Sequence, residues 1–263
     1  MLVVNADDLG YSAAVDRAIL TSHRDGIVRS TSLLVTFPGS AGAAEIARAE
    51  HGLEVGLHID LVEGTPVADP ASVSTLVGED GRFVGLSDLG GRLAMGRVRA
   101  SEVALELRAQ VARARGYGTP ALAWDSHRHV HLFPLLARVV AAVAREQDAR
   151  WVRRATPPGW PAAWKAGLLG VATAGSRLFL RDLPGSDWYI DLTSRQPPLD
   201  PSEVALLAAL PGLGELSAHP GDPGGDAAGD PLATRRPLDL ALLTDPTLRA
   251  ALGAGAVRWR VPA

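Results

Sequence analysis

Over its first sixty residues the chain repeats one cycle, and that cycle limits the folds open to it. Leu2 to Val4 is a short apolar run that reads as a buried strand. Ser12 then caps a helical stretch from Ala13 to Leu20, with Gly26 past its end. Ile27 to Thr36 is a second strand, Pro38-Gly39 a turn, Ala41 to Ala49 a short helix, and Leu53 to Leu61 a third strand. Strand, helix, strand, helix, strand in this order predicts parallel strands joined by crossovers.

The rest of the chain continues the theme. Val62 to Leu86 is a loop rich in Gly, Pro, Asp and Ser, and Ser101 to Arg115 is a strongly periodic helix. Ala121 to Trp124 is a strand, and Pro134 opens a helix to about Arg145. Trp151 to Arg154, Trp188 to Leu192, Gly214 to Gly221 and Val257 to Val261 read as further strands. Helical segments are expected over Trp160 to Leu180, Pro201 to Leu210 and, broken at Pro246, Leu238 to Leu252. Seven or eight strands with helices between most of them, and no linker, predict one α/β domain over residues 1–263, a parallel barrel. An open doubly wound sheet is the alternative, but its first turn usually carries glycines for phosphate. Here that turn is Ala6-Asp7-Asp8-Leu9-Gly10, of the wrong charge.

Strand ends carry the chemistry. Asp7/Asp8, His58, His127 to His131 and His219 all fall there, and a parallel barrel gathers its strand carboxyl ends on one face. Asp7 and Asp8 should start in different directions, which suits one acid on a cation and one on a proton; the alternative is that they cap the next helix. His127, His129 and His131 alternate, so a continuing strand would set them on one face about 7 Å apart per step, with one or two reaching a common metal. The chain has no cysteine, so any metal must be held by His, Asp and Glu, a set that suits zinc and also admits magnesium or manganese. Glu63, Asp60 and Asp125 read as supporting or capping groups. Lone histidines such as His58 and His219 also have a purely structural reading.

The net charge of -3 implies no broad attraction to nucleic acid. No apolar run is long enough to span a bilayer, and the first residues lack the pattern of a signal peptide, so a cytoplasmic protein is expected.

Asn5-Ala6-Asp7-Asp8-Leu9-Gly10, Gly56 to Gly64, Asp125 to His131 and His219-Pro220-Gly221 occur in this order and span nearly the whole chain. Together they resemble the YdjC-like (ChbG/HpnK) carbohydrate deacetylases. The resemblance implies a distorted (β/α) TIM-like barrel, one divalent metal ion (zinc or magnesium), and removal of an N-acetyl group from an acetylated amino sugar. By motif, Asp8, His58 and His127 become the metal ligands, Asp7 the general base and His219 the general acid. Leu9 stands where a Phe is common in that family, and Arg128 where a Gln or His is common. His129 and Arg154 are candidates to hold sugar hydroxyls; Trp124, Trp160 and Trp188 could offer faces for stacking, although a tryptophan is more often a core residue. The partner expected is the small sugar itself, with a homodimer as the assembly. Two other functions compete. A sugar isomerase or aldolase barrel usually leans on a lysine, and the one lysine, Lys165, lies outside every motif. A non-catalytic sugar-binding barrel would not need Asp7 and His219.

Overall fold

The computed structural model describes residues 1–154, 175–193, 195, 199–224, 229–252 and 255–261. The elements in order are β1 (Leu2–Leu9), α1 (Ala13–Arg24), β2 (Ser30–Leu33), α2 (Ser40–Arg48), β3 (Glu54–Ile59), α3 (Leu86–Ala94), α4 (Ala100–Gly116), β4 (Ala123–Ser126), α5 (Pro134–Glu146), β5 (Trp151–Val152), β6 (Trp188–Asp191), β7 (Gly214–Ala218) and β8 (Val257–Arg258). Helices Pro201–Ala208, Arg236–Leu243 and Pro246–Leu252 precede and follow β7. The sheet order is β5-β4-β3-β2-β1-β7-β6, with β8 on the first residues of β1. Every pair is parallel, as the alternation of elements predicts. Among the described residues β5 and β6 do not pair, so the barrel is a curled half-barrel. The expected helix over Trp160 to Leu180 and Lys165 lie largely or wholly outside the described residues.

Two faces of each strand explain the sheet. Leu2, Val4 and Ala6 of β1, Leu57 and Ile59 of β3, Trp124 of β4 and Leu216 and Ala218 of β7 turn outward into the main core with the helices. The other face starts apolar at the base, where Val3, Ala123 and Trp151 touch one another. Above them the same alternation brings polar residues inward: Asn5 and Asp7, Ser32, His58, Asp125, Arg153, Tyr189, Glu215 and Ser217. All of these are buried. A polar interior is tolerable only where its members satisfy one another, and here they do so largely through ion pairs and hydrogen bonds.

Local departures from sequence expectation have local causes. The Val62–Leu86 loop contains a 3-10 turn, Pro70–Val73, and buries Val73 and Leu76 in the main core. The final strand stops at Arg258 rather than running on to Val261. Among the described residues no helix is long and apolar enough to cross a membrane.

Candidate active site

The strand ends meet at a cleft lined by Asp7, Asp8, Tyr11, His127, His129, His219 and Arg236, among others. Asp7 and Asp8 both reach it, although adjacent strand residues should diverge. The pairing of β1 with β2 shifts register between Ala6 and Leu9, and Asp8 takes a left-handed φ of 72°. That local strain turns its carboxylate back to the cleft.

Asp8 meets the two histidines. Its Oδ1 lies 3.0 Å from His127 Nδ1 and 3.3 Å from His58 Nε2. One ligand atom from each of Asp8, His58 and His127 falls within 4.8 Å of the others. His58 Nε2 is buried and has no hydrogen-bond partner. An orphaned imidazole nitrogen facing a carboxylate and a second imidazole is the donor set a divalent cation takes. The other ring nitrogens are held from behind: His58 Nδ1 is 2.6 Å from Asp125 Oδ1, and His127 Nε2 is 3.0 Å from Glu63 Oε2. Such partners orient a ligating ring. Burial disfavours charge on both rings, but Asp125 beside His58 and Asp8 beside His127 outweigh it, lifting them to about 9 and about 10. Burial also opposes the Asp8 carboxylate, yet the histidines hold it well below the usual range. A further acid–histidine group, Asp7, His58 and Asp125, has suitable spacing, but Arg153 and Arg260 already neutralise its acids.

Asp7 has a different setting. Arg153 clamps it with Nη1 at 2.6 Å and Nη2 at 2.8 Å, and Asn5 Nδ2 donates at 2.6 Å. Burial would raise its pKa, and Arg153 overrides this and lowers it. His219 Nε2 stands 3.9 Å from Asp7 Oδ2. The His219 ring is oriented from its other side. Thr193 Oγ1 gives its single proton to Asp239 Oδ2, so it accepts from His219 Nδ1, 2.7 Å away. The Nε2 position is therefore the one presented to the cleft.

The remaining predicted residues fare differently. His127 and His129 reach the cleft, but His131 does not, because the strand ends at Ser126 and the chain tightens into a 3-10 segment, His127–Leu132. Arg128 and His129 sit at φ 55° and 54°, which breaks the alternation. His131 is bonded to Ser126 and to Arg153 O, a structural role. His129 lies edge-on to Tyr189 with Nδ1 unpartnered; burial and nearby Arg153 drop it to about 3, so the ring is neutral. Arg154 is not among the cleft-lining residues; its guanidinium donates to Gly185 O and Arg181 O. Trp124 and Trp188 are core residues bonded to Ala121 O and Pro211 O, not stacking platforms at the cleft, and Trp160 lies outside the described residues. Arg153, Asn5, Glu215 and Thr193 were not singled out in sequence, although the period-2 count from Asp7 and from His219 marks Asn5 and Glu215 as inward. Arg236 also enters the site, donating to Asp8 Oδ2 at 2.9 Å while lying over the Tyr11 ring.

A curled parallel barrel with acids and histidines converging at its carboxyl rim defines an enzyme of the (β/α)-barrel class. Residues 1–254 match the family model described as YdjC-like protein. A human carbohydrate deacetylase is 34% identical over 98% of this chain and 88% of its own length. A chitooligosaccharide deacetylase of Serratia marcescens is 34% identical over 56% of each chain. A crystal structure of an Enterococcus faecalis protein superimposes with a TM-score of 0.79 at 24% identity, covering 97% of this chain and 95% of that one. The chain belongs to the YdjC-like family.

Proposed function

We propose that the protein hydrolyses the N-acetyl group of an acetylated amino sugar, using one divalent cation. Asp8, His58 and His127 hold the cation, Asp7 is the general base and His219 the general acid. The observation that carries the reading is the juxtaposition of two separate sets. One acid shares its space with two imidazoles, one of them with an unpartnered nitrogen, while the neighbouring acid faces a third imidazole across the cleft. The family membership and the deacetylase relatives support the same chemistry.

When bound, a divalent cation supplies an acidified water and a polarised carbonyl. Zinc is the ion such an Asp–His–His set suits best, with magnesium the other candidate. The protein's own groups do the rest. Arg153 keeps Asp7 ionised, so it stands ready to accept the proton of the attacking water. A carboxylate held low is a weak base, and a cation held by Asp8, His58 and His127 would supply the more acidic water that such a base can deprotonate. As the new C–O bond forms and the C–N bond breaks, His219 Nε2 gives a proton to the departing nitrogen, which leaves as an amine with acetate as co-product. Thr193 fixes the ring for that transfer. The neutral His129 is set to exchange hydrogen bonds with sugar hydroxyls. Asp7's commitment to Arg153 and Asn5, and Asp8's to the histidines, support this division of roles over its reverse.

Incubating zinc- or magnesium-loaded protein with N-acetylglucosamine oligomers and related glycosides, and assaying acetate, tests the proposal. Release that requires the metal is expected. A broad panel of acetylated amino sugars giving no acetate overturns it.

A further inference from the structure

The family match ends at residue 254, but the chain then returns to the base of the barrel. Val257 and Arg258 pair with Leu2 and Val3. Two residues on, Arg260 turns inward and its side chain is completely buried. It passes Gly56 of β3 so closely that a Cβ there would meet its Nη2 at 2.3 Å and Ala123 O at 2.5 Å. Glycine is what leaves that passage open.

Inside, the guanidinium bridges two strands. Nη2 donates to Thr31 O at 2.7 Å, and Nη1 donates to Asp125 Oδ2 at 2.9 Å. The backbone N–H of Arg260 is itself held by Glu54 Oε2 at 2.8 Å. Asp125 Oδ2 therefore sits between two guanidinium groups, Arg260 on one side and Arg153 at 3.0 Å on the other. Its second oxygen, Oδ1, faces His58 Nδ1 at 2.6 Å.

We propose that Arg260 is a positioning residue for His58: by clamping Asp125 from the base of the barrel, it aims the His58 ring so that Nε2 faces Asp8. This rests on the reading that Asp8, His58 and His127 hold a cation. Arg153 alone does not suffice for the clamp, because it also serves Asp7 and Glu215. Without Arg260, Arg153 is the one guanidinium left on Asp125 Oδ2, and Arg153 is also bonded to Asp7. The fork geometry also matters: two acceptors on different strands are met by two rigid arms, which an ammonium on a flexible stem reproduces poorly.

The test is a Co²⁺ titration of the metal-free full-length protein and its Arg260→Met and Arg260→Lys variants, followed by ligand-field absorption beside thermal melts of the same samples. Arg260→Met should weaken Co²⁺ binding about tenfold and alter the absorption band, as loss of an outer partner of a ligating histidine does. Arg260→Lys should lose less. In an Asp125→Asn background the Arg260 substitution should cost no further affinity, since the effect runs through that carboxylate. A lowered melting temperature with unchanged Co²⁺ affinity and spectrum overturns the proposal and leaves Arg260 as support for the fold alone. Should Arg260→Met fail to fold, wild-type affinity in Arg260→Lys overturns it equally. Wild-type protein that binds no Co²⁺ overturns the cation reading itself, and this inference with it.

Discussion

Replacing Arg153 with methionine should destabilise the protein by about 3–5 kcal/mol near neutral pH, although the substitution is at the base of the site and nearly conserves volume. The guanidinium stands 2.6 to 3.0 Å from carboxylate oxygens of Asp7, Asp125 and Glu215, and its side chain is fully buried. At charge separations of about 4 Å and an effective dielectric near 20, each pair is worth roughly 4 kcal/mol gross. The cost of desolvating the cation and the mutual repulsion of the acids offset much of that sum. What remains after removal is three buried acids for which, among the described residues, Arg260 and His58 supply the nearby positive charge, and both lie at Asp125, which is why the loss is large. For a chain of this size it corresponds to a fall of about 6–20 °C in melting temperature. The pH dependence carries the sign. Asp7 is depressed in the native protein, so its contribution is present above the unfolded carboxylate pKa and is lost as pH falls through the lower folded value. In the variant Asp7 and Asp125 lose the cation that held them down, Glu215, which burial already raises in the native protein, loses the cation that limits that rise, and the variant gains stability on acidification. The gap between the two proteins should therefore be widest at pH 7–8 and narrow toward pH 5. Melts of both proteins across that range check it. A shift under about 2 °C at pH 7.5, or a gap that does not narrow with acid, would refute the charge-network account.

Asp7→Asn should lower kcat by about 10²–10⁴ while metal affinity stays within about twofold, measured by acetate release and Co²⁺ titration; an enzyme retaining a tenth of its activity would sink the general-base assignment. Thr193→Val removes the acceptor of His219 Nδ1 and should lower kcat about 10–100-fold, because the Nδ1–H of the protonated ring is left unpaired and the ring is no longer held in orientation. A change confined to KM in pH–rate profiles would argue that Thr193 merely shapes the cleft. Asp16 accepts from Gly10 N–H behind the site, and burial lifts its pKa to about 6. Because that folded value exceeds the unfolded one, wild-type stability should decline between about pH 4 and 6. Asp16→Asn keeps an acceptor without the charge and should be about 1–2 kcal/mol more stable at pH 7.5 but no different at pH 4, by urea melts; parallel pH profiles would contradict this.

The ordering of strands and the residues that gather at the rim were readable because both follow from strand alternation plus polar residues at strand ends. Asp7, Asp8, His58, His127 and His219 interrupt apolar runs, and a parallel barrel brings such interruptions together. The interior charges were harder to see. Arg153 and Arg154 are adjacent and chemically identical, and only a period-2 count from Trp151, which packs in the barrel base, tells which one turns inward. Arg260 follows a strand that ends two residues earlier, so no alternation reaches it. The three alternating histidines would share one face only if the strand continued past Ser126; it stops there, and left-handed φ values at Arg128 and His129 reset which way each ring points. For Trp124 and Trp188 the commoner of the two readings holds: apolar bulk on the outward strand face belongs to the helix-packed core.

Three rim residues, Asp8, Arg128 and His129, hold backbone conformations that glycine adopts freely and side chains resist. Each such conformation costs roughly 1 kcal/mol or more. A thermostability campaign that scores positions by backbone relief would rank all three for glycine and, at Asp8 and His129, would remove side chains that line the cleft. At Arg128 the loss would reach the site at one remove, because this cleft-lining guanidinium pairs with Glu63, whose other oxygen holds His127 Nε2.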